Sequence, residues 1–151
     1  MDRTDRQIIA ALQKDGRARL ADLSERIGLS ATPLARRIAR LEAEGIIEGY
    51  SARVDQERLG LPLNIFIFVE LEKQTREALN QFEQALWRFE EVMECYLMTG
   101  TRDVLLRVVA ADLAAFDRFI EEGLMQTANI RSMRSSFALR TMIRRNALPQ
   151  V

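Results

Sequence analysis

Apolar residues recur at helical spacing in the first part of the chain and at strand-like alternation in much of the rest. Ile8, Ile9 and Leu12 put a helix over residues 4–14, which Asp15-Gly16 ends, the glycine supplying a left-handed cap. Leu20, Leu23 and Ile27 repeat at i, i+3 and i+7, a second short amphipathic helix. Gly28-Leu29-Ser30 reads as a tight turn, with Ser30 as N-cap of a third helix. Pro33 falls in the first turn of that helix, where a missing N–H costs nothing, and Gly45 stops it after Glu44. Residues 47–54 read as a short strand pair turning at Gly49.

After 55–62, punctuated by Gly60 and Pro62, the rhythm changes. Residues 63–71 predict a strand, 75–89 a helix striped by Leu79, Phe82, Leu86 and Phe89, and 92–98 and 103–110 two strands around Thr99-Gly100-Thr101-Arg102. Asp112 caps a helix carrying Leu113, Phe116, Ile120 and Leu124, and 131–142 predict a last strand. The order β-α-β-β-α-β is the ferredoxin-like split pattern. The expected fold class is therefore α+β: a winged helix-turn-helix over 1–54, a linker over 55–62, and a ferredoxin-like sandwich over 63–151.

The first strand of the second half is apolar on both faces. Ile65, Ile67, Val69 and Leu71 point one way and Phe66 and Phe68 the other. A sheet covered by helices on one face leaves the other wet, so Phe66 and Phe68 predict a second cover. The expected cover is the same sheet of another copy, in a two-fold dimer. Ordinary apolar spill on a central strand is the alternative.

Composition narrows the chemistry. The 151 residues contain no histidine, which excludes a histidine-dependent triad or zinc site. One cysteine, Cys95, cannot form an internal disulfide; it is expected to be a buried, inert thiol in a reducing cytoplasm. No apolar run is long enough for a membrane span, and the start is too polar for a signal peptide. No cofactor is expected. Net charge is zero, but its distribution is uneven: residues 131–151 carry five arginines and no acid, while 62–130 carry six basic and twelve acidic side chains. The arginines over 131–145 suit either the acidic middle of a neighbouring copy or DNA, and the charge of the middle favours the protein. Met93, Met98, Met125, Met133 and Met142 read as core or interface filler rather than a metal site.

The third helix carries the strongest chemical pattern. At about 100° per residue, Leu34, Ile38 and Leu41 share the inward face, Arg36 and Arg40 lie opposite with Thr32 and Pro33, and Arg37 flanks them. Residues 26–41 include Arg26, Arg36, Arg37 and Arg40 and no acid. A helix entering the major groove needs this arrangement, since arginine pairs bidentately with guanine or clamps phosphate. A solvated charged face is the plainer reading. Tyr50, Ser51 and Arg53 in the wing suit sugar or phosphate contacts, or plain solvation.

Several stretches together resemble one bacterial and archaeal family. These are Asp5-Arg6-Gln7-Ile8-Ile9, Asp15-Gly16-Arg17, the helix from Leu20, Gly28-Leu29-Ser30, Thr32-Pro33, Arg36-Arg37-Ile38-Ala39-Arg40-Leu41-Glu42 and Gly45-Ile46-Ile47. Glu94-Cys95-Tyr96-Leu97-Met98-Thr99-Gly100 followed by Asp103 resembles the strand–turn–strand motif of the same family's sensing domain. The family is that of the Lrp/AsnC, or feast/famine, transcriptional regulators, and the resemblance covers nearly the whole chain. It implies double-stranded DNA as partner; with the face of the third helix and the wing read above, the residues expected at the DNA are Ser30, Thr32, Pro33, Arg36, Arg37, Arg40 and Arg53. It implies a sheet-paired homodimer assembling further, commonly into octamers. It also implies a small effector, usually an amino acid, at dimer–dimer contacts, with Met98, Thr99, Gly100, Thr101, Arg102, Asp103, Ser135 and Ser136 at that site. Two positions depart from the family pattern: Arg102 is bulky and charged before the aspartate, and Thr127-Ala128-Asn129 replaces a common Pro-Gly turn, predicting a looser segment.

The effector turn also has a direct chemical reading. Asp103 suits the ammonium of a free amino acid, backbone N–H groups at Gly100 and Thr101 suit its carboxylate, and Arg102 adds a charge-assisted partner. Ser135 and Ser136 of a neighbouring subunit would complete the ring. The plainer alternative is a hairpin turn in which Asp103 caps its own backbone. A ferredoxin-like enzyme and an RNA-binding sheet are the rival functions. The missing histidines and the lack of a glycine-rich phosphate loop oppose the enzyme; burial of Phe66 and Phe68 in a dimer opposes the RNA platform.

Overall fold

The computed structural model describes residues 1–100 and 102–149, which form two compact units: 1–53 with 142–149, and 54–141. In the first unit, helix α1 (Arg3–Lys14) begins at a reciprocal cap. Asp2 Oδ1 accepts the Asp5 N–H at 2.8 Å, and Asp5 Oδ2 accepts the Asp2 N–H at 2.9 Å. The end of α1 differs from expectation. Gly16 is not left-handed; Asp15 ends the helix by donating its N–H to Ala11 O and accepting the Arg17 N–H. A Cβ at Gly16 would lie 3.2 Å from Tyr50 Cδ1, so the glycine serves close packing instead.

Helices α2 (Leu20–Ile27) and α3 (Ala31–Ala43) are joined through Gly28, left-handed at φ 76°. Ser30 stands at the N-cap position of α3, yet its side chain makes no capping hydrogen bond. Ile8, Leu23, Leu34 and Leu41 are buried together, with Ile27, Ile38 and Ile47 around them. Gly45, at φ 69°, ends α3. The expected strand pair over 47–54 does not form. Ile46 and Ile47 both return their N–H groups to Leu41 O, and Tyr50 is held by Glu42 through a 2.9 Å hydrogen bond. These ties follow the helix end rather than a ladder, and a hairpin this short has no third strand to support it.

Residues 55–62 belong to the second unit and are folded. Asp55 Oδ1 accepts N–H groups from Glu57 and Arg58, and Gln56 Nε2 donates to Leu61 O and Leu63 O. Strands β1 (Leu63–Leu71), β2 (Val92–Leu97), β3 (Val104–Ala110) and β4 (Ile130–Phe137) form one antiparallel sheet in the order β2-β3-β1-β4. Helix α4 (Arg76–Leu86) follows β1, capped by Thr75, and α5 (Leu113–Arg118) follows β3, capped by Asp112. Ile65, Ile67, Val69 and Leu71 are buried with Phe82, Leu86, Leu106, Val108 and Leu124.

Three local expectations differ from the structure here. Helix α5 is short, passing into a π-helical turn (Phe119–Gly123) and a 3-10 turn (Leu124–Gln126). Phe119, in the wider turn, is buried, while Leu113 at the start of α5 is 64% exposed. Strand β4 ends at Phe137, whose ring meets Phe116 edge-on at 5.2 Å. The segment before it is firmly tied rather than loose. Asn129 adopts φ 74°, its side chain bonds both the N–H and C=O of Lys73, and its carbonyl accepts the Glu72 N–H. Asparagine is among the few residues that tolerate this conformation.

Candidate DNA-binding and effector sites

On α3 the three arginines have separate fates. Arg37 donates to Asp2 at 2.7 Å and to Asp5 at 2.8 Å; Arg40 donates to Asp5 at 2.7 Å. Asp5 is only 1% exposed, so its carboxylate joins the start of α1 to two arginines of α3. Burial raises its pKa, but the Asp2 N–H, Arg37 and Arg40 together outweigh this and bring it down to about 2. Bonding to Asp2 and Asp5 raises the Arg37 pKa. Arg36 is exposed and has no ion-pair partner among the described residues. Ser30 and Thr32 are exposed beside it, Pro33 is half-buried, and Arg53 is exposed on irregular backbone. Tyr50 bonds Glu42, while Ser51 is open to solvent.

The sequence reading gave Asp5 no structural role. Its signal was present in the Asp2–Asp5 capping spacing before an apolar run, and in the acid-free stretch 26–41, whose arginines need counter-charge from elsewhere.

In the second unit, Phe66 and Phe68 lie on the face of the sheet turned away from the α4 and α5 core and are half-buried by cross-strand neighbours. Phe66 stands between Arg107 and Ser136, and Phe68 between Leu105 and Arg134. Charged pairs surround them: Arg107 donates to Glu94 at 2.8 Å, while Glu70 accepts from Ser132 at 3.1 Å, Arg131 at 3.3 Å and Arg102 at 3.4 Å. An apolar centre with a polar rim has the anatomy of a protein interface.

The turn after β2 is stitched to β1. Asp103 Oδ2 accepts the Leu71 N–H at 2.7 Å, and Oδ1 accepts from Gln74 Nε2 at 2.8 Å. The Asp103 N–H donates to Val69 O, and the Met98 N–H donates to Asp103 O at 2.8 Å. Asp103 thus caps a neighbouring strand rather than its own turn. Arg102 reaches Glu70 and Ser132 on the phenylalanine face. Met98, Thr99 and Gly100 are exposed, and Thr101 lies outside the described residues. Ser135 and Ser136 are exposed on β4, opposite Ile67 and Phe66, so they point to opposite faces of the sheet.

A cleft of about 530 Å³ opens elsewhere in this unit, between α4 and β2; among the described residues of the turn, 98–100, 102 and 103 do not line it. Cys95 lines it and is exposed, not buried as expected, because β2 is an edge strand. Desolvation in the cleft and the Glu83 carboxylate raise its thiol pKa. Met93, Met98, Met125 and Met142 are likewise exposed, while Met133 packs against the core. No helix among the described residues is long and apolar enough to cross a membrane.

A helix-turn-helix on one unit and an apolar-faced ferredoxin-like sheet on the other define a DNA-binding protein with a separate regulatory domain. The comparisons agree. Residues 1–48 match a winged helix-turn-helix DNA-binding family model, and residues 64–148 match that of the Lrp/AsnC ligand-binding domain. The chain is 44% identical over 149 residues to the Bkd operon transcriptional regulator of Pseudomonas aeruginosa, covering 99% of this chain and 97% of that one. It is 34% identical over 148 residues to the leucine-responsive regulatory protein of Escherichia coli, covering 98% and 90%. A solved transcriptional regulator from Neisseria meningitidis, in complex with L-methionine, superposes with a TM-score of 0.92 at 34% identity, covering 99% and 96%. The chain belongs to the Lrp/AsnC family of transcriptional regulators.

Proposed function

We propose that the chain is a cytoplasmic, sequence-specific regulator rather than an enzyme, and that Arg36 is its principal base-reading arginine. The observation that carries this is the division of labour on α3. Arg37 and Arg40 are engaged by Asp2 and Asp5, while Arg36 faces solvent with Thr32 and Ser30. Arg37 and Arg40 then set the seating of the helix, and Arg36 reads the groove. Ser30, Thr32, Pro33 and Arg53 contribute backbone-directed contacts around it.

Two copies pair through the Phe66 and Phe68 face, presenting two recognition helices to a pseudo-palindromic site. Higher assembly, up to an octamer, builds on that dimer. The effector is a free amino acid at the turn formed by Met98, Thr99, Gly100, Thr101, Arg102 and Asp103, with one of Ser135 and Ser136, which face opposite sides of the sheet, supplied by a neighbouring copy. The L-methionine complex of the Neisseria relative supports this class of ligand. Among the described residues Asp103 is held by neutral donors, Leu71 N–H and Gln74 Nε2, which an ammonium group can displace. Arg102 bonds Glu70 in the free chain, so carboxylate binding requires it to exchange partners.

The test is operator binding by Arg36→Ala. The variant is expected to lose ~1–3 kcal/mol on a site selected by the wild type, with relaxed preference at one base pair. Unchanged affinity and preference would remove Arg36 from the interface.

A further inference from the structure

Residues 142–149 lie against the DNA-binding unit, although they follow the sheet in the chain. The Leu148 N–H donates to Gln13 Oε1 on α1. Asn146, Leu148 and Pro149 form one wall of an open cleft whose other walls are α1 and Ile47, Gly49 and Tyr50, just beyond the recognition helix. This placement redistributes charge. Residues 1–53 hold ten basic and eight acidic side chains, and Arg144 and Arg145 bring the unit to +4, while 54–141 hold ten basic against fourteen acidic, or −4. Arg144 and Arg145 are exposed and have no ion-pair partner among the described residues. Arg131, at the other end of the acid-free stretch, pairs with Glu70 of its own chain. The charge pattern of the sequence favoured the acidic middle of a neighbour for these arginines; the fold separates them into two groups.

We propose that Arg144 and Arg145 are part of the DNA-binding surface and contact the phosphate backbone flanking the site read by α3. The two guanidiniums have the chemistry for it: permanent charge and forked donors that match phosphate geometry. A pair of positive charges on the DNA-binding unit, just before the residues that wall the cleft, adds affinity without sequence preference. The acids of this unit do not screen them as they screen α3, where Asp2 and Asp5 engage Arg37 and Arg40. The proposal rests on the DNA-binding reading of this unit.

The experiment measures DNA affinity between 50 and 200 mM KCl by fluorescence anisotropy, with a duplex selected by the wild type and an unrelated duplex of equal length. The proteins are the wild type, Arg144→Gln/Arg145→Gln, Arg144→Lys/Arg145→Lys and Arg36→Ala, each with its assembly mass from sedimentation. The glutamine variant is expected to weaken binding to both duplexes by the same factor and to flatten the log–log salt slope by about 1 per arginine for each DNA-bound unit. The lysine variant keeps the wild-type slope, and all assembly masses stay the same. An unchanged slope in the glutamine variant overturns the proposal. So does a fall in its assembly mass, which would mean that the tail docks on the acidic unit of another copy. Failure of the underlying reading looks different: Arg36→Ala would then leave discrimination between the two duplexes intact.

Discussion

Each unit ties its candidate site together with an aspartate, and the two aspartates are held in opposite ways. Asp5 is buried and surrounded by charge: two arginines and a backbone N–H satisfy it, and its pKa is brought down to about 2. Asp103 is half-buried and bonded to an amide N–H and a glutamine, with no cation on it among the described residues. Removing both charged partners of Asp5 would strand a carboxylate away from water, so that bracket resists opening. The donors of Asp103 are neutral, and the proposed cationic ligand would outcompete them. The same side chain holds a charged bracket across α1 and α3 in one unit and, on the proposed function, a replaceable latch in the other.

The largest expected effect strikes the sheet unit. Phe66→Asp with Phe68→Asp places two carboxylates in the apolar centre of the outer face, at several kcal/mol against assembly. Light scattering should show monomers that keep the wild-type far-UV spectrum. A double variant that remained dimeric would move the interface off this face.

The rigidity of the first bracket comes next. Asp5→Asn should lower stability by about 2 kcal/mol in chemical denaturation, less than a wholly buried pair because Arg37 and Arg40 are partly solvated. Acid sharpens the comparison. The depressed pKa of Asp5 gives stability that is present above its unfolded value of roughly 3.9 and is lost as pH falls toward about 2. The wild type should therefore lose stability more steeply than Asp5→Asn across that window. Parallel curves would show that Asp5 contributes nothing through its charge.

The smallest stability effect belongs to the latch. Asp103→Ala should cost about 1 kcal/mol, since its partners at the end of β1 reach solvent readily. The same change should weaken amino-acid binding by about ten- to a hundredfold in calorimetric titration while leaving DNA affinity without effector intact. Equal effector affinity in variant and wild type would reduce Asp103 to a strand cap.

Much of this architecture was legible in the sequence because it is carried by local periodicity. The stripe of Leu34, Ile38 and Leu41 placed α3, and the alternation of Ile65, Ile67 and Val69 placed β1. What escaped was non-local or competed with local signals. The bracket from Asp5 to Arg37 and Arg40 spans more than thirty residues, which no window of periodicity covers. The strand-like composition of 47–54 lost to the carbonyl of Leu41 and the hydroxyl of Tyr50, which tie that segment to a helix end. The stripe through Leu113 and Leu124 assumed one uniform helix; Phe89 crowds Gly123, where a Cβ would come within 2.8 Å, and the helix widens there. The exposure of Cys95 followed from its strand taking the edge of the sheet, an order that composition does not specify.

The central position of β1 has a consequence for how the molecule comes into being. Its partners are β3 and β4, so the first strand made must wait for the last before the sheet closes, and pairing across so long a separation is intrinsically slow. The three helices of the other unit meet through near neighbours and form on a faster clock. During synthesis, the helical unit is therefore assembled while β1 is still unpaired, its alternating apolar residues open to mispairing. Residues 142–149 emerge only after β4, so the wall they add to the cleft on α1 is set in place after the sheet has all its strands.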